Sequence, residues 1–62
     1  MNKLSLKAIR VNKNLTQEEV AKELGISPAT LSRWESGSRS PRLSELKKLL
    51  DFYGVPIDYV EI

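Results

Sequence analysis

Hydrophobic positions along this chain recur at helical spacing, and polar stops break them into short segments. Val20, Ala21 and Leu24 fall on one face of a helix with a 3.6-residue period, as do Leu31 and Trp34 further on. Each segment carries its own start signal. The Thr16 hydroxyl can accept from the backbone N–H of Glu19 while the Glu19 carboxylate reaches back to the Thr16 N–H, with Leu15 and Val20 as the matching hydrophobic staple. After Gly25 the grammar repeats: Ser27 is the N-cap, Pro28 takes the first helical position, and Ile26 and Leu31 occupy the staple positions. Two capped helices with starts eleven residues apart predict a helix-turn-helix over Thr16 to Gly37.

The flanking segments follow the same logic. A first helix is expected from Ser5 to Lys13, with Leu6, Ala8, Ile9 and Val11 supplying apolar surface, and Asn14 closing it through a left-handed residue. Gly37 stops the third helix, and Ser36 to Arg42 reads as a loop. Leu43, Leu46, Leu49, Leu50 and Tyr53 recur at spacings of three and four, which predicts a fourth helix from Leu43 to Tyr53 ended by Gly54. Val55 and Pro56 then lead into a short fifth helix, Ile57 to Val60. The prediction is an all-α, five-helix domain covering residues 1–62, with a core of Leu15, Val20, Leu24, Ile26, Leu31, Trp34, Leu46, Leu49, Leu50 and Phe52.

Composition narrows the chemistry. Sixty-two residues are near the lower limit for folding without a cross-link, since a domain of this size buries only roughly 60% of its unfolded surface. There is no Cys and no His, which removes disulfides, zinc-ligand clusters and the usual general base. With no Gly-rich phosphate loop, and with Glu18 and Glu19 adjacent on a helix and so on different faces, neither an enzyme nor a cofactor is expected. The apolar runs are too short to span a membrane and the start lacks the apolar core of a secretory signal, so a soluble, cytoplasmic protein is expected. Net charge is only +2, but residues 1 to 42 hold eight Lys or Arg against four acids, whereas residues 43 to 62 hold two against four. The first two-thirds is therefore the expected anion-facing part.

The outer face of the second helix of the pair carries Pro28, Ala29, Thr30, Ser32, Arg33 and Ser36, all small or donor-bearing, with no acid among them. Such a face can approach DNA closely, and Arg33 has the bidentate fork that suits a guanine edge. From about Leu4 to Val60 the chain closely resembles the Cro and phage-repressor type of helix-turn-helix regulator, also called the xenobiotic-response-element family. The motifs TQEEVAKELGIS, TLSRWESG, SRSPR and GVPIDYV carry the resemblance at several fixed spacings.

The resemblance implies a repressor-like DNA-binding domain whose third helix lies in the major groove, with Pro28, Ala29, Thr30, Ser32 and Arg33 at the reading positions. Pro28 and Ala29 have no side-chain donor and can add only apolar contact, for example to a thymine methyl, which leaves room for readout of DNA shape. The family places a glutamine on a phosphate at the position of Gln17; Ser27 is a second candidate at a helix N-terminus. Arg39 and Arg42, flanking the loop after helix three, match positions that contact the DNA backbone or the minor groove, although Arg42 stands where many relatives have a Ser or Thr cap. Arg10 and Glu35 match a structural ion pair, and Trp34 is expected in the core rather than against bases.

The function expected from these residues is a sequence-specific transcriptional regulator, a repressor, that binds double-stranded DNA at a two-fold symmetric operator. It is expected to do so as a homodimer formed through residues 55–62. The alternative is a protein-binding module, antitoxin-like or an adaptor, in which DNA contact is secondary and a protein partner comes first.

Overall fold

The computed structural model describes residues 3–61. Four α-helices follow one another: α1 (Leu6–Asn12), α2 (Gln17–Leu24), α3 (Pro28–Ser36) and α4 (Leu43–Tyr53), then a single 3-10 turn, Ile57–Tyr59. Local chemistry sets these boundaries. The Ser5 hydroxyl accepts from the Ala8 N–H at 3.1 Å and Ser27 accepts from Thr30 at 3.1 Å. At the start of α2 both halves of the capping box are made, Glu19 N–H to the Thr16 hydroxyl at 3.1 Å and Thr16 N–H to the Glu19 carboxylate at 2.9 Å. The Thr16 backbone N–H, and after it the Thr16 side chain, hold the Glu19 carboxyl below its ordinary range. Asn14 closes the first helical segment at φ 58°, and Gly25 opens the turn into α3 at φ 69°, a conformation that side chains with a Cβ rarely adopt.

Arg42 precedes α4 in extended conformation, and its N–H donates to the Glu45 carboxylate at 2.8 Å. A guanidinium has no acceptor, so only this reciprocal half of a capping box is possible. The helix start is thus secured by Glu45 rather than by the residue ahead of it.

One core gathers the inner faces of all four helices. Leu6, Ile9, Val20, Leu31, Trp34, Leu46, Leu49, Leu50, Tyr53 and Val60 are buried, with Leu15, Leu24, Ile26 and Val55 partly buried against them. Phe52, expected in this core, is 40% exposed, and its neighbour Tyr53 is the buried aromatic at 2%. At about 100° per residue, Leu46, Leu49, Leu50 and Tyr53 form one stripe and Phe52 falls well to its side. Leu43 and Val11, both counted as apolar helix-face residues, are also exposed, Leu43 because it stands in the first turn of α4 at the rim of the core.

The C-terminal segment departs from expectation. In place of a fifth α-helix there is one 3-10 turn, closed by Tyr59 N–H to Pro56 O at 3.0 Å and Val60 N–H to Ile57 O at 3.1 Å. Val60 is then extended and pairs in parallel with Leu4, through Leu4 N–H to Tyr59 O at 2.7 Å and Glu61 N–H to Leu4 O at 2.9 Å. That pairing claims the backbone that a longer helix would need. It buries Val60 and leaves Ile57 and Tyr59 exposed.

Candidate nucleic-acid interface

α3 sits across the turn from α2 with Leu31 and Trp34 directed into the core. Its other side is open. Pro28, Ala29, Ser32 and Arg33 are exposed and Thr30 is half-buried, so the five reading positions expected from the sequence share one accessible strip. Thr30 is engaged locally, its hydroxyl 2.9 Å from that of Ser27, and Ser27 already accepts the Thr30 N–H. Ser27 and Thr30 therefore brace the start of α3 as a pair, and each retains lone pairs and rotational freedom for an outside partner.

At the other end of α3 the carbonyl of Arg33 receives the Ser36 hydroxyl at 3.1 Å and the Arg39 N–H at 3.3 Å. The Arg33 backbone is pinned by this turn while its side chain is exposed and makes no hydrogen bond within the described residues. Arg39 and Arg42 are also exposed, on the loop between α3 and α4, and extend the cationic surface beyond α3.

Behind this surface lies a buried charge cluster. Arg10 of α1 is 8% exposed, and its guanidinium donates to Glu35 of α3 through Nε at 2.7 Å and Nη2 at 3.1 Å. Its Nη1 donates to the carbonyl of Leu15 at 2.8 Å, so the fork is occupied on both sides. Hydrogen bonding to Glu35 raises the affinity of the guanidinium for its proton and outweighs the opposing desolvation. Burial drives the Tyr53 phenol up to about 12, with the Glu35 charge adding and the Arg10 charge opposing. The Tyr53 hydroxyl is buried with no hydrogen-bond partner among the described residues.

Gln17, the first residue of α2, does not stand free. Its Nε2 donates to Oε1 of Glu35 at 3.0 Å, and the residue also lines a cleft with Arg10, Leu15, Thr16, Glu18 and Pro28. Neither this bond nor that from Arg10 to Leu15 is visible in sequence spacing; the only available signal was a polar residue at a helix start facing two residues already paired with each other. Among the described residues no group of three or more Asp, Glu, His or Cys is placed to hold a metal ion. No described helix is long and apolar enough to cross a membrane.

Comparison with known proteins decides what this architecture belongs to. A helix-turn-helix family model matches residues 6–60, from the first residue of α1 to the residue paired with Leu4. The chain belongs to the Cro/C1-type helix-turn-helix family. A cryptic phage CTXphi transcriptional repressor, RstR, of Vibrio cholerae is 44% identical over 52 residues, which is 84% of this chain and 47% of that protein. An HTH-type transcriptional activator of Enterococcus faecalis, BcrR, is 43% identical over 53 residues, 86% of this chain and 26% of its own. An HTH-type transcriptional regulator of Methanocaldococcus jannaschii is 42% identical over 60 residues, 97% of this chain and 91% of its own. The chain thus spans half or less of the length of the first two relatives. No solved structure gives a significant match.

Proposed function

We propose that this domain is a sequence-specific DNA-binding transcriptional regulator that lays α3 in the major groove. The observation that carries this reading is the outer strip of α3, where exposed Pro28, Ala29, Ser32 and Arg33 present no acid and the Arg33 side chain makes no hydrogen bond among the described residues. Small side chains let the helix approach the base edges, and the Arg33 fork matches the O6 and N7 acceptors of guanine. Gln17, Ser27, Arg39 and Arg42 would hold the DNA backbone and set the register of the helix. The named functions of the relatives, a repressor, an activator and a regulator, support the regulatory class; repression follows where the bound site overlaps a promoter.

A single domain with a few phosphate contacts binds weakly at physiological salt, so a dimer on a two-fold symmetric site is part of the proposal. Residues 55–62 are its proposed interface: Ile57 and Tyr59 are exposed apolar side chains on a turn anchored by the Leu4 and Val60 pairing. Ile62 lies outside the described residues. The two copies of α3 would then sit about 34–36 Å apart, one turn of DNA.

Selection from a random duplex library at two salt concentrations tests the reading. Recovery of an inverted repeat with half-sites one turn apart is the expected result. Retention without any motif, lost at the higher salt, would reduce the interaction to nonspecific charge and favour a protein partner instead.

A further inference from the structure

Three helices meet at one carboxylate. Glu35 of α3 has a side chain only 3% exposed, and it accepts from Arg10 of α1 twice and from Gln17 of α2 once. A carboxylate only accepts, so the Gln17 amide must turn its nitrogen, not its oxygen, toward Glu35. One N–H of that NH2 group is consumed in the bond. The second diverges from it in the same plane, on a residue that is half-buried and lines the cleft with Thr16, Glu18 and Pro28. Arg10 in turn cannot swing away to leave Glu35 free, because its Nη1 is held by the Leu15 carbonyl.

We propose that Glu35 is a positioning residue for DNA backbone recognition: it fixes the Gln17 amide so that its second N–H is presented in this cleft to a phosphate oxygen. The inference rests on the DNA-binding function proposed above and adds a role to the Arg10 and Glu35 pair beyond holding the helices together. An unheld glutamine would offer oxygen or nitrogen equally, and an oxygen facing a phosphate repels it. Holding the amide in advance removes that wrong orientation and the rotamer entropy lost on binding. Glu18, the one acid lining the cleft, is exposed and can turn its carboxylate to solvent.

The probe is a mixed-sequence duplex of about two helical turns at low salt, since a backbone contact does not depend on sequence. Gln17→Ala should weaken binding by about tenfold to a hundredfold, the effect of one hydrogen bond to an ionised acceptor. Because the lost group is uncharged, the dependence of affinity on salt should not change. In an Arg10→Leu/Glu35→Leu background, shown to be folded by Trp34 fluorescence, the same Gln17→Ala change should cost less than about twofold, because the amide is no longer held. An equal cost in both backgrounds overturns the positioning role. No cost in the wild-type background, with Arg33→Ala still weakening binding, overturns it while leaving DNA binding intact; no duplex binding by the wild-type protein removes the function it rests on. Should the double variant not fold, the Gln17 side-chain amide resonances of the wild-type protein decide. One proton hydrogen-bonded before DNA is added and the second shifting on titration supports the proposal; two protons averaging as in an exposed glutamine overturns it.

Discussion

Arg10 and Arg33 are the same residue type on neighbouring helices, and the structure puts them to opposite uses. Arg10 is buried, with each of its three guanidinium nitrogens bonded to Glu35 or Leu15; Arg33 is exposed, with its backbone pinned and its side chain making no hydrogen bond among the described residues. A buried guanidinium is tied to stability because removing it strands its partner's charge, whereas an exposed one leaves nothing unpaired and remains available to a ligand. Burial and partnering, more than residue type, separate the inner cluster that holds the helix-turn-helix from the outer strip proposed to meet DNA.

The largest break in this contrast is expected from Arg10→Ala. It leaves the Glu35 carboxylate buried without its cation, which should cost roughly 3–5 kcal/mol, a large fraction of the stability of so small a domain. Thermal unfolding followed by circular dichroism checks this, and Arg33→Ala in the same assay should stay within about 0.5 kcal/mol of the wild type. Tyr53 tests the inner cluster by pH. Its phenol ionises near 12 in the folded chain and near 10 when unfolded, so the unfolded state gives up its proton first. Its contribution is complete below about pH 10 and should fall by about 2 kcal/mol as pH rises to 12. Tyr53→Phe should remove that alkaline loss and, by deleting a hydroxyl with no partner among the described residues, should leave neutral-pH stability unchanged or slightly raised. Denaturant unfolding at pH 8 and at pH 11 measures both.

On the outer strip, Arg33→Ala should relax one base position of the selected site by about 1–3 kcal/mol, read as a change in competition between matched and mismatched duplexes. The smallest effect is expected between the two regions, at the start of α2. Thr16→Ala removes the acceptor for the Glu19 N–H and should cost about 1 kcal/mol in denaturant unfolding, with the selected DNA sequence unaltered.

Much of this arrangement is legible in the sequence where a side chain acts on its own backbone. The Thr16 and Glu19 box, the Ser27 cap, and the left-handed Asn14 and Gly25 all announce themselves within four residues, so the bounds of the first four helices could be read closely. Long-range pairing has no such signature. The Leu4 and Val60 pairing is made by backbone atoms that every residue carries, and it turned an expected fifth helix into a 3-10 turn and an extended residue. The expectation that Phe52 enters the core runs against the periodicity itself: Tyr53 continues the stripe of Leu46, Leu49 and Leu50, Phe52 lies about 100° of rotation away from Tyr53, and Tyr53 is the one buried. Within the candidate site, the free face of α3 follows from the spacing of Leu31 and Trp34. The bond from Gln17 to Glu35 links residues eighteen apart on different helices and emerges only from the fold.

The most direct test measures thermal unfolding and duplex selection together on Arg10→Ala and Arg33→Ala. Arg33→Ala is expected to unfold like the wild type but lose selectivity at one position, while Arg10→Ala unfolds at a much lower temperature and its folded fraction still selects the original sequence. An Arg33→Ala protein that is destabilised, or that selects the same sequence as the wild type, would contradict the division between an inner cluster that holds and an outer strip that reads.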